Sequence, residues 1–351
     1  MGGRMAKNLL TKSKQPLVVY DKVADACKEV KTLGAKVAST PRGVAEQADV
    51  IITMLRADDQ GIFFFFLKKK EDINNNVKKD ALLIDSSTVN YLTTKLEASQ
   101  SLGTHFVVFG RTWEQKKKKK KKAAEAGSLT FMCGGPKTSF EHAEKVLKYM
   151  GAKIFHCGEQ PGSGQIVKIC NNLILAISMD AVSEGMNLGV KLGLFIRFVE
   201  HFFLSSGTIG IDANKLAEIV NVSSGRCWSS DTYNPCPGVF PKVPSSNQYK
   251  GGFAIDLMRK DLQLALQAAH SVNASTPLGI NVKQLYDMIS TRGHGDKDFS
   301  FLYQFVKGTE MVIFSTSLHF SCNQIQSTYP VCKNITLKQN IRNIKIFKSM
   351  I

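Results

Sequence analysis

Hydrophobic residues follow two different patterns along the chain, and the change falls near residue 160. Up to residue 158, short apolar runs alternate with stretches of helical periodicity, which predicts a parallel sheet with crossover helices. Thr40-Pro41 has the pattern of a helix N-cap followed by a proline in the first turn. Helices are predicted over 3–13 and 22–33, and strands over 17–20, 50–55, 82–85, 105–109, 129–133 and 152–157.

From Gln165 onward the pattern is helical. Residues 165–193 form one long, largely apolar helix without a turn signal, and further helical patterns cover 213–222, 254–271 and 281–291. The sequence therefore predicts an α/β domain over residues 1–160 followed by an all-α domain over residues 161–312. No apolar run reaches the roughly 20 residues that a membrane span needs, so no membrane partner is expected.

Four segments interrupt this regular pattern. Residues 63–70 read FFFFLKKK, Lys116 to Lys122 are seven consecutive lysines, residues 195–210 split a smooth helical path, and the tail 313–351 contains no Gly, Asp or Glu. Their composition disagrees with the elements around them. We interpret them as foreign inserts, a foreign-looking tail or gene-model errors, and the chain as a degenerate or mispredicted product of its gene.

The net charge of the chain is interpreted differently when these four segments are left out of the count. The chain has 46 Lys and Arg against 29 Asp and Glu, a net charge of +17. Such a charge, spread evenly, would indicate a nucleic acid or an anionic membrane as partner. Most of the excess lies in the interrupting segments, so we expect no nucleic-acid partner. A basic binding module acting through Lys116–Lys122 is the alternative, and it predicts salt-dependent binding of polyanions.

Cysteine and histidine spacing excludes two further classes of site. The eight cysteines form no CxxC pair and lie inside apolar runs, which favours reduced thiols in an intracellular compartment. The seven histidines are scattered without ligand spacing, so no metal site is predicted.

The amino end has the pattern of half a dinucleotide site. Gly2 and Gly3 open a predicted helix that leads into a strand ending at Asp21. In a dinucleotide-binding βαβ unit the final glycine lets the helix pack closely, the helix N-terminus faces the pyrophosphate, and the acid binds the ribose hydroxyls. The first strand and the first two glycines of such a unit are absent from this chain. The fold expectation is thus a Rossmann-type domain with its first strand missing; the alternative is a tight turn and a solvated strand end.

A second candidate site lies at residues 162–172, GSGQIVKICNN. The glycines allow close approach of the backbone to a ligand at a helix start. Lys168 and Asn172 are four residues apart and share a helix face. An apolar environment lowers the pKa of a lysine side chain, which would let Lys168 exchange a proton with a substrate hydroxyl while Asn172 orients it. The alternative is a snorkelling lysine beside a capping glycine pair.

The chain resembles the β-hydroxyacid dehydrogenase family over nearly all of residues 1–312. The block around Arg226-Cys227-Trp228 resembles the members that oxidise 3-hydroxyisobutyrate in valine catabolism. The resemblance rests on MAKNLL (5–10), ITML (52–55), IDSST (84–88), AGSLTFMCGG (126–135), GSGQIVKICNN (162–172), SSGRCWSSDTYNPCPGV (223–239), NQYKGGFAIDLMRKDLQLA (247–265) and KDFSFLYQF (297–305).

This resemblance implies an activity and a set of site residues. The reaction would be NAD-dependent oxidation of 3-hydroxyisobutyrate to methylmalonate semialdehyde, with Lys168 as catalytic acid/base and Asn172 beside it. The implied cofactor is NAD rather than NADP, because a carboxylate at Asp21 would repel a 2′-phosphate. The resemblance also implies a homodimer or higher oligomer and a mitochondrial location, although no transit peptide is visible. Cofactor-binding positions would be Gly2, Asp21, Leu55, Arg56, Thr88 and Lys260.

The chain also departs from the family pattern. Arg56 stands where the family has a proline, and the glycines of the phosphate loop ahead of Gly2 are absent. The family's substrate loop, Pro-Val-Ser-Gly-Gly, has no counterpart in residues 109–122, so no substrate-loop residue is assigned. Arg111 could pair with a carboxylate, but a surface arginine is the simpler interpretation. These losses leave a catalytically dead homologue as the alternative function.

Overall fold

The computed structural model describes residues 2–55, 76–88, 90, 105–112, 123–203 and 211–308, with the backbone alone for 105–112, 123 and 193–203. The described residues up to Lys307 belong to one compact unit. Three of the interrupting segments, 63–70, 116–122 and 313–351, lie outside the described residues. The domain limits 1–160, 161–312 and 313–351 remain predictions.

The amino-terminal half is an α/β domain of the Rossmann type. Thr40 caps its third helix as expected, with Oγ1 accepting from Gly43 N at 3.1 Å. Predicted helix 22–33 is realised as a 3₁₀ turn at Ala24–Cys27 that continues into a short α-helix. The elements are α1 (Gly2–Ser13), β1 (Val18–Val19), α2 (Lys28–Thr32), β2 (Lys36–Val37), α3 (Pro41–Ala45), β3 (Val50–Thr53), β4 (Leu82–Asp85), β5 (His105–Thr112), α4 (Ala123–Ala126), β6 (Leu129–Gly134), α5 (Lys137–Leu147) and β7 (Gly151–Gly158).

The strands form two sheets in the described part of the chain. β1 and β2 pair in parallel, and a separate five-stranded sheet has the order β3-β4-β5-β6-β7. The expectation of a parallel sheet is wrong at one position: β6 runs antiparallel to β5, with Val108 opposite Gly134 and Thr112 opposite Thr130. An antiparallel strand can follow its neighbour through a direct connection, whereas a parallel strand needs a crossover that returns the chain to the opposite end of the sheet. The other neighbouring pairs are parallel.

Helices α1 and α5 pack against the five-stranded sheet, whose edge strand β7 is partly exposed. A Cβ on Gly151, at the start of β7, would come within 2.5 Å of the ring of Phe131, so these two strands pack tightly. The core of this half joins strand residues with side chains of α1 and α5; it contains Met5, Leu82, Ile84, Leu129, Phe131, Cys133, Ala143, Leu147 and Met150.

The carboxy-terminal half is all α-helical, as expected. Its helices are α6 (Ser163–Phe203), α7 (Ala213–Val220), α8 (Trp228–Asp231), α9 (Ile255–Ser271), α10 (Pro277–Ile289) and α11 (Leu302–Lys307). The helix predicted to end at residue 193 continues to Phe203, so the backbone of 195–203 extends α6. Residues 204–210 lie outside the described residues.

Helix α6 is the centre of this half. Ala176 and Met179 on its inner face are fully buried, and they pack with Met258 and Leu262 of α9 and Tyr286 of α10. Among the described helices, one segment, Ser163–Leu192, has a length and composition that would suffice to cross a membrane. Its inner face packs in the protein core, while its outer face carries exposed apolar side chains such as Ile174 and Leu188.

Candidate active site

The glycine turn before α6 brings the two halves of the chain together. Gly162 has φ +98°, a left-handed conformation that favours glycine, and the helix begins at the next residue. A Cβ on Gly134, at the end of β6, would lie 2.8 Å from Ser163 N. Glycine at this position therefore lets the sheet edge touch the first turn of α6.

Lys168 and Asn172 meet on the buried face of α6. Lys168 Nζ donates to Asn172 Oδ1 at 2.7 Å, and the side chains are 8% and 1% exposed. Asn172 Nδ2 in turn donates to Asp261 Oδ2 on α9 at 2.6 Å. A lysine, an amide and a carboxylate thus form one buried hydrogen-bonded chain across two helices.

Lys260 extends this chain to the α/β half. Its Nζ lies 3.2 Å from Asp261 Oδ1 and also donates to the carbonyl oxygen of Thr88, just beyond β4. Two residues assigned to the cofactor site from sequence, Thr88 and Lys260, are therefore in contact. The contact ties α9 to the carboxyl edge of the sheet.

The carboxyl ends of β3 and β4 are fixed by a buried carboxylate. Asp85 Oδ1 accepts from Thr53 Oγ1 at 2.7 Å and from Ser87 Oγ at 2.6 Å. Ser87 Oγ also accepts a hydrogen bond from Leu55 N at 2.9 Å. Leu55, predicted to lie along the cofactor, is thereby held at the sheet edge. Asp85 and Ser87 were not predicted as site residues.

Two of the remaining cofactor candidates, Gly2 and Asp21, lie beside the carboxyl ends of β3 and β1. A Cβ on Gly2, at the start of α1, would be 3.5 Å from Met54 Cγ, so the helix N-terminus stands beside the end of β3. Asp21 follows β1, is exposed, and accepts from Val23 N through Oδ1 at 2.9 Å. Arg56 lies outside the described residues.

These residues fit a dinucleotide. The helix N-terminus of α1 could hold a phosphate, and the exposed carboxylate after β1 could accept hydrogen bonds from ribose hydroxyls. A Cβ on Gly2 would make only an ordinary contact, so packing on Met54 does not itself require glycine there. In the described ranges, no group of three or more His, Cys, Asp or Glu side chains is arranged to hold a metal ion.

Sequence reasoning missed Asp261. It follows Lys260 directly in the motif RKDLQLA, and its carboxylate is 3% exposed. The available signal was a charged residue between apolar positions of a helix. A carboxylate in such a place needs hydrogen-bond partners when it is buried, so it indicates a polar contact. Its partner Asn172 lies 89 residues earlier, and sequence spacing cannot show such a contact.

Two family models together match most of the chain. Residues 1–158 match the NAD-binding domain of 6-phosphogluconate dehydrogenase. Residues 198–306 match a domain described as the NAD-binding part of NADP-dependent 3-hydroxyisobutyrate dehydrogenase. The protein is therefore built on NAD(P)-binding domains.

Curated relatives and solved structures agree with these matches. The mitochondrial 3-hydroxyisobutyrate dehydrogenase of Bos taurus is 44% identical over 312 residues, covering 88% of this chain and 85% of the relative. The corresponding Homo sapiens enzyme is 43% identical with the same coverage. A Mycobacterium tuberculosis 3-hydroxyisobutyrate dehydrogenase structure with L-serine is 28% identical, with TM-score 0.69, over 88% of this chain and 96% of that one.

The alternative of a catalytically dead homologue receives no support from these comparisons, because the relatives with high coverage are named as dehydrogenases. The chain belongs to the 3-hydroxyisobutyrate dehydrogenases of the β-hydroxyacid dehydrogenase family.

Proposed function

We propose that this chain oxidises 3-hydroxyisobutyrate to methylmalonate semialdehyde with NAD as the acceptor of the hydride. The observation that carries the proposal is the buried hydrogen bond between Lys168 Nζ and Asn172 Oδ1, at the junction of the NAD-binding half and the helical half. Family membership supplies the substrate, and this pair supplies the acid–base chemistry that alcohol oxidation requires.

Lys168 is the general base in this mechanism. In its amine form Nζ donates one N–H to Asn172 Oδ1 and keeps its lone pair for the proton of the substrate hydroxyl. NAD, when bound, supplies the carbon that accepts the hydride from the hydroxyl-bearing carbon. The burial of Lys168 and Asn172 excludes water from the proton transfer.

Asn172 and Asp261 act by orientation. Asp261 accepts from Asn172 Nδ2, which turns Oδ1 of the same amide toward Lys168. The amide therefore holds Nζ in one place on α6. Lys260 neutralises Asp261 and reaches Thr88, so the same chain of contacts connects the base to the cofactor edge.

The strand ends would hold the cofactor. In this proposal Gly2 at the N-terminus of α1 would bind the pyrophosphate, Asp21 the ribose hydroxyls, and Leu55 and Arg56 would line the dinucleotide site. Thr88 would contact the nicotinamide ribose, and Lys260 would bind the cofactor from α9. The exposed carboxylate of Asp21 favours NAD over NADP through repulsion of the 2′-phosphate.

The test of the activity is NADH formation from racemic 3-hydroxyisobutyrate at alkaline pH. We expect turnover by the unmodified chain and a loss of kcat of about 10²–10⁴-fold in Lys168→Ala, the usual contribution of a general base. Lys191→Ala, at an exposed lysine of the same helix, is the matched control and should keep full activity. Equal rates for the unmodified chain and Lys168→Ala would refute the proposal.

The outer face of α6 supports a homodimer or higher homo-oligomer. Ile174, Leu188 and Leu192 are 68%, 60% and 53% exposed, and with Ala181 and Gly185 they form one apolar stripe opposite the buried face. An apolar stripe of this length on a soluble protein marks an interface.

Light scattering during size-exclusion chromatography tests the oligomer. The unmodified chain should elute as a dimer or larger species, and Leu188→Glu should shift it toward the monomer. Val222→Glu, at a position 84% exposed on another element, is the control. A monomeric unmodified chain would refute this part of the proposal.

A mitochondrial location is part of the same proposal. The relatives from Bos taurus, Dictyostelium discoideum and Arabidopsis thaliana are named as mitochondrial. Fractionation of cells that express the full-length gene product, with detection by antibody, tests it. Recovery outside the mitochondrial fraction would refute it.

A further inference from the structure

Gln165 carries a buried amide that has no hydrogen-bond partner among the described residues. The residue is fully buried, and within that part of the chain neither Nε2 nor Oε1 has a partner. Leaving a buried amide unsatisfied destabilises a protein, and native structures rarely do so without a reason such as a ligand. The amide is thus a donor and an acceptor that the described residues leave open for a ligand.

The position of Gln165 points to the substrate site. It precedes Lys168 by three residues and Asn172 by seven, so the three side chains lie along one face of α6. Asn172 is as fully enclosed as Gln165, and Lys168 nearly so. Gln165 therefore extends the buried polar face of the candidate site by one turn.

The charge at this end of α6 favours an anionic ligand. Gln165 lies in the first helical turn, which contains no acidic residue. The N-terminus of a helix carries a partial positive charge, and no side chain of that turn neutralises it. The backbone N–H of Ser163 already donates to the Gln160 carbonyl oxygen at 3.2 Å, so the buried side-chain amide of Gln165 is a donor that remains for an anion.

We propose that Gln165 Nε2 donates to the carboxylate of the hydroxy-acid substrate and so selects 3-hydroxy acids over simple alcohols. This inference rests on the proposed function. In an extended 3-hydroxy acid the hydroxyl oxygen and the outer carboxylate oxygen lie somewhat less than one helix pitch of 5.4 Å apart, so one molecule can reach both Lys168 and the preceding turn that carries Gln165. Gln165 Oε1 can then accept from the ammonium that Lys168 becomes. The substrate loop of the family, Pro-Val-Ser-Gly-Gly, has no counterpart in this chain. The Gln165 amide takes over its task of holding the substrate.

The test compares Gln165→Met, an apolar side chain of similar length, with the unmodified chain in the presence of NADH. The probe is isobutyrate, which has the carboxylate and carbon skeleton of the substrate but no hydroxyl. We expect isobutyrate to raise the Tm of the unmodified holoenzyme and to leave that of Gln165→Met unchanged. KM for 3-hydroxyisobutyrate should rise about tenfold to a hundredfold, the worth of a hydrogen bond to a charged group, with NADH affinity unchanged.

Two further variants keep the test decisive. Asn187→Leu removes another buried amide of α6, whose Oδ1 also lacks a partner, and should leave the isobutyrate shift intact. Gln165→Glu keeps the size of the side chain and places a carboxylate against the substrate carboxylate. It should abolish the isobutyrate shift, and it replaces Gln165→Met if that variant does not fold.

The outcomes separate this inference from the proposed function. If the unmodified chain oxidises 3-hydroxyisobutyrate while Gln165→Met keeps its KM and its isobutyrate shift, the inference is overturned and the function stands. Absence of an isobutyrate shift in the unmodified chain, or loss of NADH binding in Gln165→Met, also overturns it. A shift that depends on Gln165 in a chain without turnover supports the carboxylate site and refutes the proposed reaction.

Discussion

Asn172 Nδ2 donates to Asp261 Oδ2 across a distance of 2.6 Å, and this contact decides which way the Asn172 amide faces. An ionised carboxylate only accepts hydrogen bonds, so the nitrogen of the amide must point toward Asp261. The amide oxygen is then directed at Lys168, where it accepts from Nζ. In this chain of hydrogen bonds Asp261 acts on Lys168 indirectly. It orients the Lys168 side chain through Asn172.

Replacement of Asp261 should lower catalysis without preventing cofactor binding. Asp261→Asn offers a donor as well as an acceptor to Asn172, so the amide loses its single orientation. We expect kcat to fall about tenfold to a hundredfold, the effect of one hydrogen bond to a charged group, while KM for NAD stays within about threefold. Steady-state kinetics with each substrate varied in turn measure both quantities.

The control for this variant is Glu218→Gln, which removes an exposed acid paired with Lys215 on α7. It should be indistinguishable from the unmodified chain. A loss of kcat in Asp261→Asn no greater than in this control would contradict an orienting role for the carboxylate.

Lys260 should contribute to cofactor affinity. Its Nζ bridges Asp261 and the carbonyl oxygen of Thr88, so Lys260→Met breaks the link between α9 and the sheet edge and leaves Asp261 without its cation. We expect Kd for NADH to rise about tenfold, measured by titration calorimetry. Lys283→Met, which breaks an ion pair with Asp287 on α10, is the control and should leave Kd unchanged.

Local spacing in the sequence predicted how part of the site is arranged. Lys168 and Asn172, four residues apart in one helix, were expected to share a face, and the 2.7 Å hydrogen bond confirms that they meet. Their roles in catalysis stay predictions. The alternation of strands and helices likewise predicted the α/β half and the helical half, because each buries its apolar side with a fixed period.

Contacts between distant segments could not be predicted in this way. Asp261 reaches Asn172 because α9 packs on α6, and nothing in the spacing of either segment encodes that packing. The sequence pattern also does not predict that β6 runs antiparallel, because apolar residues alternate in the same way whichever direction a strand runs. The continuation of α6 to Phe203 also differs from the predicted end at residue 193.

Asp21 should determine the choice between the two nicotinamide cofactors. Its side chain is exposed at the end of β1 and would face a 2′-phosphate with like charge. Asp21→Ser removes that repulsion and a ribose acceptor, so we expect kcat/KM to fall for NAD and to rise for NADP, with the ratio changing about tenfold or more. Asp25→Ser, at the next acid of the same loop, is the control. An unchanged ratio in Asp21→Ser would contradict the assignment.

Asp180 should make the protein less stable at neutral pH than in mild acid. Burial raises the pKa of its carboxyl from 3.8 to about 6, with the charge of Glu184 adding to the effect, and its Oδ1 has no hydrogen-bond partner among the described residues. A folded-state pKa above the unfolded value means that the folded chain binds more protons between pH 4 and 6. Stability therefore falls as pH rises through this window and stays lower above it.

Asp180→Asn removes the titrating group and should stabilise the protein at pH 7.5. The expected gain is about 1–2 kcal/mol, smaller than the full shift implies because the side chain is only half-buried. At pH 4 the gain should be much smaller, since Asp180 is then protonated in the folded chain and, with an unfolded-state pKa of 3.8, nearly half protonated in the unfolded one. Urea unfolding at both pH values measures the difference. Glu184→Gln, which removes only the neighbouring charge, should give a smaller gain at pH 7.5, and equal gains for Asp180→Asn at both pH values would contradict the raised pKa.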